Sequence, residues 1–189
     1  MEKIIFHKET KTFHLYNEEI SYIMCVLENG HMGQLYYGKR IHDKPDFSYL
    51  VEKCGRPMTS YIFEGDRSFS LEHIRQEYPV YGTTDYRHPA IEIMQENGSN
   101  ISEFKYVGYE ILKGKPSLKG LPATYTESEE EAETLKIILK DSLTGAKLTL
   151  LYTIFSKGSA IARSAHICNE GEKVLHLQTM MSLNLDLPD

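Results

Sequence analysis

Three long apolar stretches, residues 147–155, 160–169 and 174–187, close the chain, parted only by Lys157-Gly158 and by Glu170-Gly171-Glu172. Breaks that short leave no room for a crossover helix, so the spacing predicts three antiparallel neighbours in one sheet. The same strand-then-turn rhythm recurs upstream. Residues 20–27 are apolar and β-rich, stop at Glu28-Asn29-Gly30 and resume at 34–37, the pattern of a hairpin in an N-terminal meander. Residues 90–94 meet Asn97-Gly98, residues 104–112 meet Lys113-Gly114-Lys115-Pro116, and residues 135–139 meet a turn over 141–145. Roughly ten strands without βαβ alternation predict an all-β fold, a large antiparallel β-sandwich of two sheets packed face to face. Residues 160–169 carry weakly polar side chains on both faces, which suits a strand covered on both sides.

Composition limits the classes of partner. With 189 residues, 41% hydrophobic and 25% charged, the chain supports one core of ordinary size. Its formal net charge is −6, and its densest charge run, 127–133, is acidic, which disfavours a nucleic-acid partner. That run reads as a solvated turn between strands. No apolar run reaches the roughly 18 residues a membrane span needs, and the first residues lack a signal-peptide pattern, so the expected location is cytoplasmic. Cys25, Cys54 and Cys168 form an odd set without Cys-x-x-Cys spacing, and no disulfide framework is expected.

The rhythm breaks in three places. Residues 40–61 and 114–133 are long connections rich in Pro and Gly, of the kind that often carry function. Residues 76–93 pack three tyrosines, two prolines, a glycine and an Asp/Arg pair into an irregular segment, which has the character of a site wall. The one short helix expected lies at 70–77, with Ser70 as its N-cap. Tyr78, before Pro79, is expected to be extended and packed in the core.

Motifs for self-contained catalysis do not occur. The chain has no Gly-x-Ser-x-Gly elbow, no His-Glu-x-x-His, no Walker loop and no Gly-x-Gly-x-x-Gly after a strand. Its eight histidines show no helical i, i+4 pair or strand-spaced ligand triad, so neither a metal nor another cofactor is expected.

The order of elements carries a resemblance. Glu64-Gly65-Asp66-Arg67-Ser68-Phe69-Ser70 leads into Gln76-Glu77-Tyr78-Pro79 and then Tyr81-Gly82-Thr83-Thr84-Asp85-Tyr86-Arg87-His88-Pro89. Further on come Gly114-Lys115-Pro116-Ser117-Leu118-Lys119-Gly120 and Met181-Ser182-Leu183-Asn184-Leu185-Asp186. In this order the chain resembles the N-terminal domain of microbial α-galactosidases (melibiases) of glycoside hydrolase family 36. The resemblance implies a galactose-mutarotase-like β-supersandwich occupying 1–189 and ending short of its usual limit. A catalytic (β/α)8 barrel and a C-terminal β domain would lie outside this chain, with both catalytic aspartates on the barrel.

It further implies a non-catalytic role in assembly and in shaping the sugar pocket of a homotetramer that cleaves terminal α-galactose from melibiose and raffinose-type sugars. Asp66 and Arg67 are then the expected substrate-binding pair, since a guanidinium donates a forked pair of hydrogen bonds to hydroxyls or a carboxylate. Tyr81, Asp85, Tyr86 and Arg87 would line the pocket or an interface with the barrel. Two other readings stay open: an autonomous carbohydrate-binding module, and a purely structural oligomerisation domain.

Overall fold

A computed structural model describes residues 3–120 and 123–187. Ten strands form two four-stranded antiparallel sheets and a two-stranded ribbon. The first sheet orders β1 (Ile4–His7), β2 (Thr12–Tyr16), β3 (Ile20–Val26) and β4 (Met32–Lys39) as a meander. The second orders β6 (Phe104–Lys113), β7 (Ala132–Asp141), β8 (Ala146–Phe155) and β9 (Ile161–Asn169). The ribbon pairs β5 (Ile91–Gln95) with β10 (Leu175–Met180).

The main core lies between these layers. Leu135, Ile137 and Leu139 of β7, with Leu148, Leu150, Tyr152 and Ile154 of β8, alternate inward to meet Ile4, Phe13, Leu15, Tyr22 and Met24 of the first sheet. This period of two follows from the pleat, and the polar partners Lys136, Lys140 and Lys147 point away. β3 is buried along nearly its whole length because it faces two cores. Tyr22 and Met24 join the main one, while Ile23 and Cys25 join a second with Leu35, Phe47, Phe69, Leu71 and Ile74. The long connection over 40–61 is therefore a cover as well as a loop: Phe47 inserts beneath it, and Ile41, Leu50 and Val51 pack against the same cluster. Tyr78 is in the main core, as its place before Pro79 suggests.

Two expectations are corrected. Residues 70–77 do not form a helix. Ser70 does cap a turn, its Oγ accepting from the Glu72 N–H at 3.3 Å while its carbonyl accepts from Ile74 at 3.2 Å, but the turn ends there. Residues 75–77 then extend along β4, with Gln34 N–H to Arg75 O at 3.0 Å and Glu77 N–H to Met32 O at 2.9 Å. The cause is in the side chains. Gln76 and Glu77 must reach buried partners on opposite sides of the backbone, which an extended chain achieves and a helix does not. The short helical turns lie instead at Ser48–Leu50 and Glu129–Glu131, both 3-10.

The last stretch is not the third neighbour of its sheet. β10 is shorter than expected and leaves β9 to pair with β5, from Leu175 opposite Gln95 to Met180 opposite Ile91. The Asn169 side chain ties this corner, donating to Lys173 O at 2.8 Å and accepting from Gly171 N–H at 3.0 Å. A Cβ on Gly171 would collide with the Thr144 carbonyl of the β7–β8 turn. Gly171→Ala is accordingly expected to destabilise by about 1–3 kcal/mol, read as a lower urea midpoint. An unchanged midpoint would mean the two turns separate freely.

Candidate functional site

The residues singled out by sequence fall into three environments. Asp66 sits in a tight turn, its Oδ1 accepting from the Ser68 N–H at 2.8 Å and the Ser68 hydroxyl at 2.6 Å. Those bonds hold its carboxyl below the usual carboxylate range. The turn presents Arg67 to solvent, and among the described residues its guanidinium makes no hydrogen bond or ion pair. Tyr81 and Tyr86 are also exposed.

Asp85 and Arg87 face inward instead and form a brace. Arg87 grips Asp85 with Nε to Oδ1 and Nη2 to Oδ2, both at 2.9 Å, while Nη1 reaches Asp186 at 2.9 Å. Its Nη2 also donates to the carbonyls of Leu71 and Ile74, at 3.1 and 2.8 Å. The bonds to Asp85 push the guanidinium pKa up, outweighing partial burial. From Asp85 the chain of bonds runs onward, the Gln76 amide donating to Oδ2 at 2.7 Å and its oxygen meeting His31 Nδ1 at 3.1 Å. Because the amide nitrogen is committed to the carboxylate, the Gln76 oxygen is the acceptor and His31 Nδ1 carries the proton.

A second buried network had no motif to announce it. Glu77, fully buried, accepts from Tyr22 at 2.5 Å and from Tyr152 at 2.7 Å, one hydroxyl on each carboxylate oxygen. Arg163 lies 3.2 Å from the same carboxylate and donates to both tyrosine oxygens, at 3.2 and 3.3 Å, and to the Asn184 carbonyl at 3.2 Å. Burial opposes the charge on Arg163, but the fields of Tyr152 and Glu77 outweigh it and the pKa moves up. Burial, reinforced by Glu77, raises both tyrosines well above their usual range. The available signal was Arg163 itself, which shares a strand face with Ile161, Ala165 and Ile167. An arginine on an apolar face implies a buried acid.

A third cluster has the form of a catalytic triad without its use. His14 Nε2 meets Ser21 Oγ at 2.9 Å, and Nδ1 meets Asp43 Oδ1 at 2.7 Å, with His7 on the same oxygen at 3.0 Å. Ser21 and His14 are both 0% exposed, so no substrate carbonyl reaches the hydroxyl. The Ser21 oxygen also accepts from the Ile41 N–H at 3.1 Å, and the cluster ties the 40–47 segment to β2 and β3.

Burial lowers the pKa of His14 despite the opposing bond to Asp43, and it lowers that of His31 likewise. Near and below pH 6.5 the unfolded chain therefore binds more protons than the folded one. The stability these neutral histidines carry is present above that value and is lost as pH falls. Stability is expected to drop by about 1–2 kcal/mol between pH 7.5 and 5.5 in urea titrations. A flat profile over that window would exclude neutral burial.

Comparison with solved structures defines the class first. The chain superposes on the α-galactosidase of Lactobacillus brevis with TM-score 0.94 and 38% identity, covering 98% of this chain and 25% of that one. For a Geobacillus stearothermophilus AgaA variant in complex with raffinose, the TM-score is 0.86 at 42% identity, covering 92% of this chain and 24% of that one. The class is thus the all-β sandwich domain carried by bacterial α-galactosidases.

The family model for the glycosyl hydrolase family 36 N-terminal domain matches residues 30–189, and the chain belongs to that family. Among curated relatives, α-galactosidase AgaA of Geobacillus stearothermophilus is 40% identical over 98% of this chain and 25% of its own length. Mel36A of Lactobacillus acidophilus is 33% identical with the same shares. The chain spans about a quarter of the length of the curated relatives it matches. Among the described residues no helix is long and apolar enough to cross a membrane.

Proposed function

We propose that this chain serves as the non-catalytic N-terminal domain of an α-galactosidase that hydrolyses terminal α-galactosyl residues with retention, acting in assembly and in shaping the sugar pocket. Likeness over 98% of the chain to a relative named as an α-galactosidase carries the reading. The catalytic aspartates would lie on a barrel beyond residue 189, and the substrates would be melibiose and raffinose-type sugars. In a cytoplasmic homotetramer, Arg67 and Asp66 would help wall the pocket of a neighbouring subunit. What supports this is a guanidinium held out on a hydrogen-bonded turn, none of its donors committed among the described residues.

Tyr81 and Tyr86, exposed on the same irregular segment, would pack against the barrel or rim the pocket, with Asp85 and Arg87 bracing them from within. The test is Arg67→Ala in an enzyme carrying this domain. A fall in kcat/KM for raffinose of about 10- to 100-fold is expected, the worth of one or two charged hydrogen bonds. Sedimentation should show assembly unchanged. Altered assembly with intact kinetics would transfer the role to oligomerisation alone.

A further inference from the structure

The outer face of the second sheet, turned away from the core, carries Ile138 of β7, Thr149 and Leu151 of β8, and Ala162 and Ser164 of β9. All are half-buried, and the weak polarity of β9 on both sides suits a face that is covered. The structure covers one half of it. Toward the end of β8, Lys115, Pro116, Leu118, Ala123 and Thr124 enclose a cavity of about 210 Å³ with Leu151, Thr153 and Ala162. Toward the start of β8 the face is an open groove of about 750 Å³, floored by Ile138, Thr149 and Leu151 and walled by Leu118. Lys119, Lys136 and Lys147 line this groove, and no carboxylate does. Lys136 and Lys147 pair with Glu110 and Glu170 at the rim, while Lys119 makes no ion pair among the described residues. In a chain of net charge −6 the groove is a local excess of positive charge.

Its counterpart is on the same molecule but out of its own reach. Glu127, Glu129, Glu130 and Glu131 are exposed, and none forms an ion pair among the described residues. Ser156 pins the run just past the end of β8, its Oγ donating to the carbonyls of Glu130 and Glu131 at 2.8 and 2.9 Å. Ser156 stands roughly 25 Å along the strand direction from Thr149, so the run does not enter its own groove. Tyr125, close ahead of the run, is 82% exposed, an aromatic ring with nothing over it.

We propose that this face is a homodimer interface, outer face against outer face about a two-fold axis with the strands antiparallel. Tyr125 and the acidic run of each copy enter the groove of the other, the ring over Ile138 and Leu151 and the carboxylates against the lysines. The layout dictates this arrangement. It sets the covered half of each sheet against the open half of its partner, so both grooves fill at once, as a self-complementary contact requires. Four strands about 4.8 Å apart and about nine residues long give a face of roughly 19 by 30 Å, hence about 1,100 Å² buried in total. That clears the roughly 1,000 Å² of a specific interface and lies at its weak end. The inference deepens the assembly role proposed above and rests on that reading only for its place in the enzyme, since the contact itself lies between copies of this chain.

Sedimentation equilibrium of the chain up to roughly 500 μM tests it, with a reversible dimer of Kd about 10–100 μM expected at low salt. Raising the salt to about 0.5 M should weaken it about tenfold. Lys119→Glu with Lys147→Glu, and separately Glu129→Lys with Glu130→Lys, should each weaken dimerisation at least about tenfold while leaving the urea midpoint unchanged. An equimolar mixture of the two variants should dimerise to within about threefold of the original chain, because reversed groove then meets reversed run and native groove meets native run. Tyr125→Ser should weaken the dimer about tenfold. Arg67→Ala, which tests the pocket role, should dimerise normally, so the two readings fail separately. A chain that stays monomeric at roughly 500 μM would overturn the proposal and leave the face to another domain of the enzyme. A dimer indifferent to both charge reversals would also overturn it, moving the contact to the edge strand β9. Variants that do not complement each other on mixing would do the same, since the charges would then not meet across the interface.

Discussion

Arg163→Met is expected to cost about 3–5 kcal/mol of folding free energy, a large share of the 5–15 kcal/mol typical of a domain. The side chain is 8% exposed and its partner Glu77 is 0% exposed, so removing the cation leaves a carboxylate buried among two tyrosines with no counter-charge. Methionine keeps much of the volume, and the loss is electrostatic rather than a cavity. A double-mutant cycle with Glu77→Leu isolates the coupling, because with both ionic partners gone neither charge is stranded. The double variant should recover at least half of the single-variant loss in urea titrations. Strict additivity would show that the two residues are held by packing alone and that the ion pair contributes nothing.

Asp85→Ala is the second large effect, about 2–4 kcal/mol. Most of it comes from the buried Gln76 amide, which loses its acceptor, and from the Arg87 backbone N–H, which loses its own at 3.0 Å. The ion pair adds little, since the Arg87 side chain is 36% exposed and solvent screens it. The loss should be local. Amide exchange is expected to accelerate at Gln34 and Glu77, where the extended 75–77 segment pairs with β4, while the β7–β8 pairing stays protected. Uniform acceleration across both sheets would mean that Asp85 supports the whole sandwich and not one segment.

Strand-turn rhythm alone made most of the fold legible, because the turns at Asn29-Gly30, Asn97-Gly98 and Lys157-Gly158 set strand ends through local backbone preference. What it did not reveal depended on distant partners. Ser70 reads as a helix cap and does cap a turn, yet no helix follows. Gln76 and Glu77 are drawn to opposite sides by His31 and by Tyr152, 45 and 75 residues away. Residues 174–187 have strand composition, but composition does not choose between β9 and β5 as partner. That choice rests on the Gly171 corner.

The candidate site divides the same way. The motif order drew attention to residues 66–67 and 81–87, but which of these turn inward was set by contacts with Leu71, Ile74 and Asp186. The irregular run 76–93 reads as a site wall, and the structure divides it between the inward brace of Asp85 and Arg87 and the exposed Tyr81 and Tyr86. His31, in the turn just ahead of β4, was one of eight scattered histidines, with nothing local to mark it.

The clamp around Glu77 draws on residues 22, 77, 152 and 163, one or more from each four-stranded sheet and from the segment between them. Each sheet is a meander of near neighbours and forms without it, whereas the clamp closes only after the two sheets have met. Contacts made that late contribute little to the folding transition state and are the ones broken to leave the native state. The clamp therefore acts as a latch on escape, setting how long the sandwich stays shut rather than how quickly it assembles.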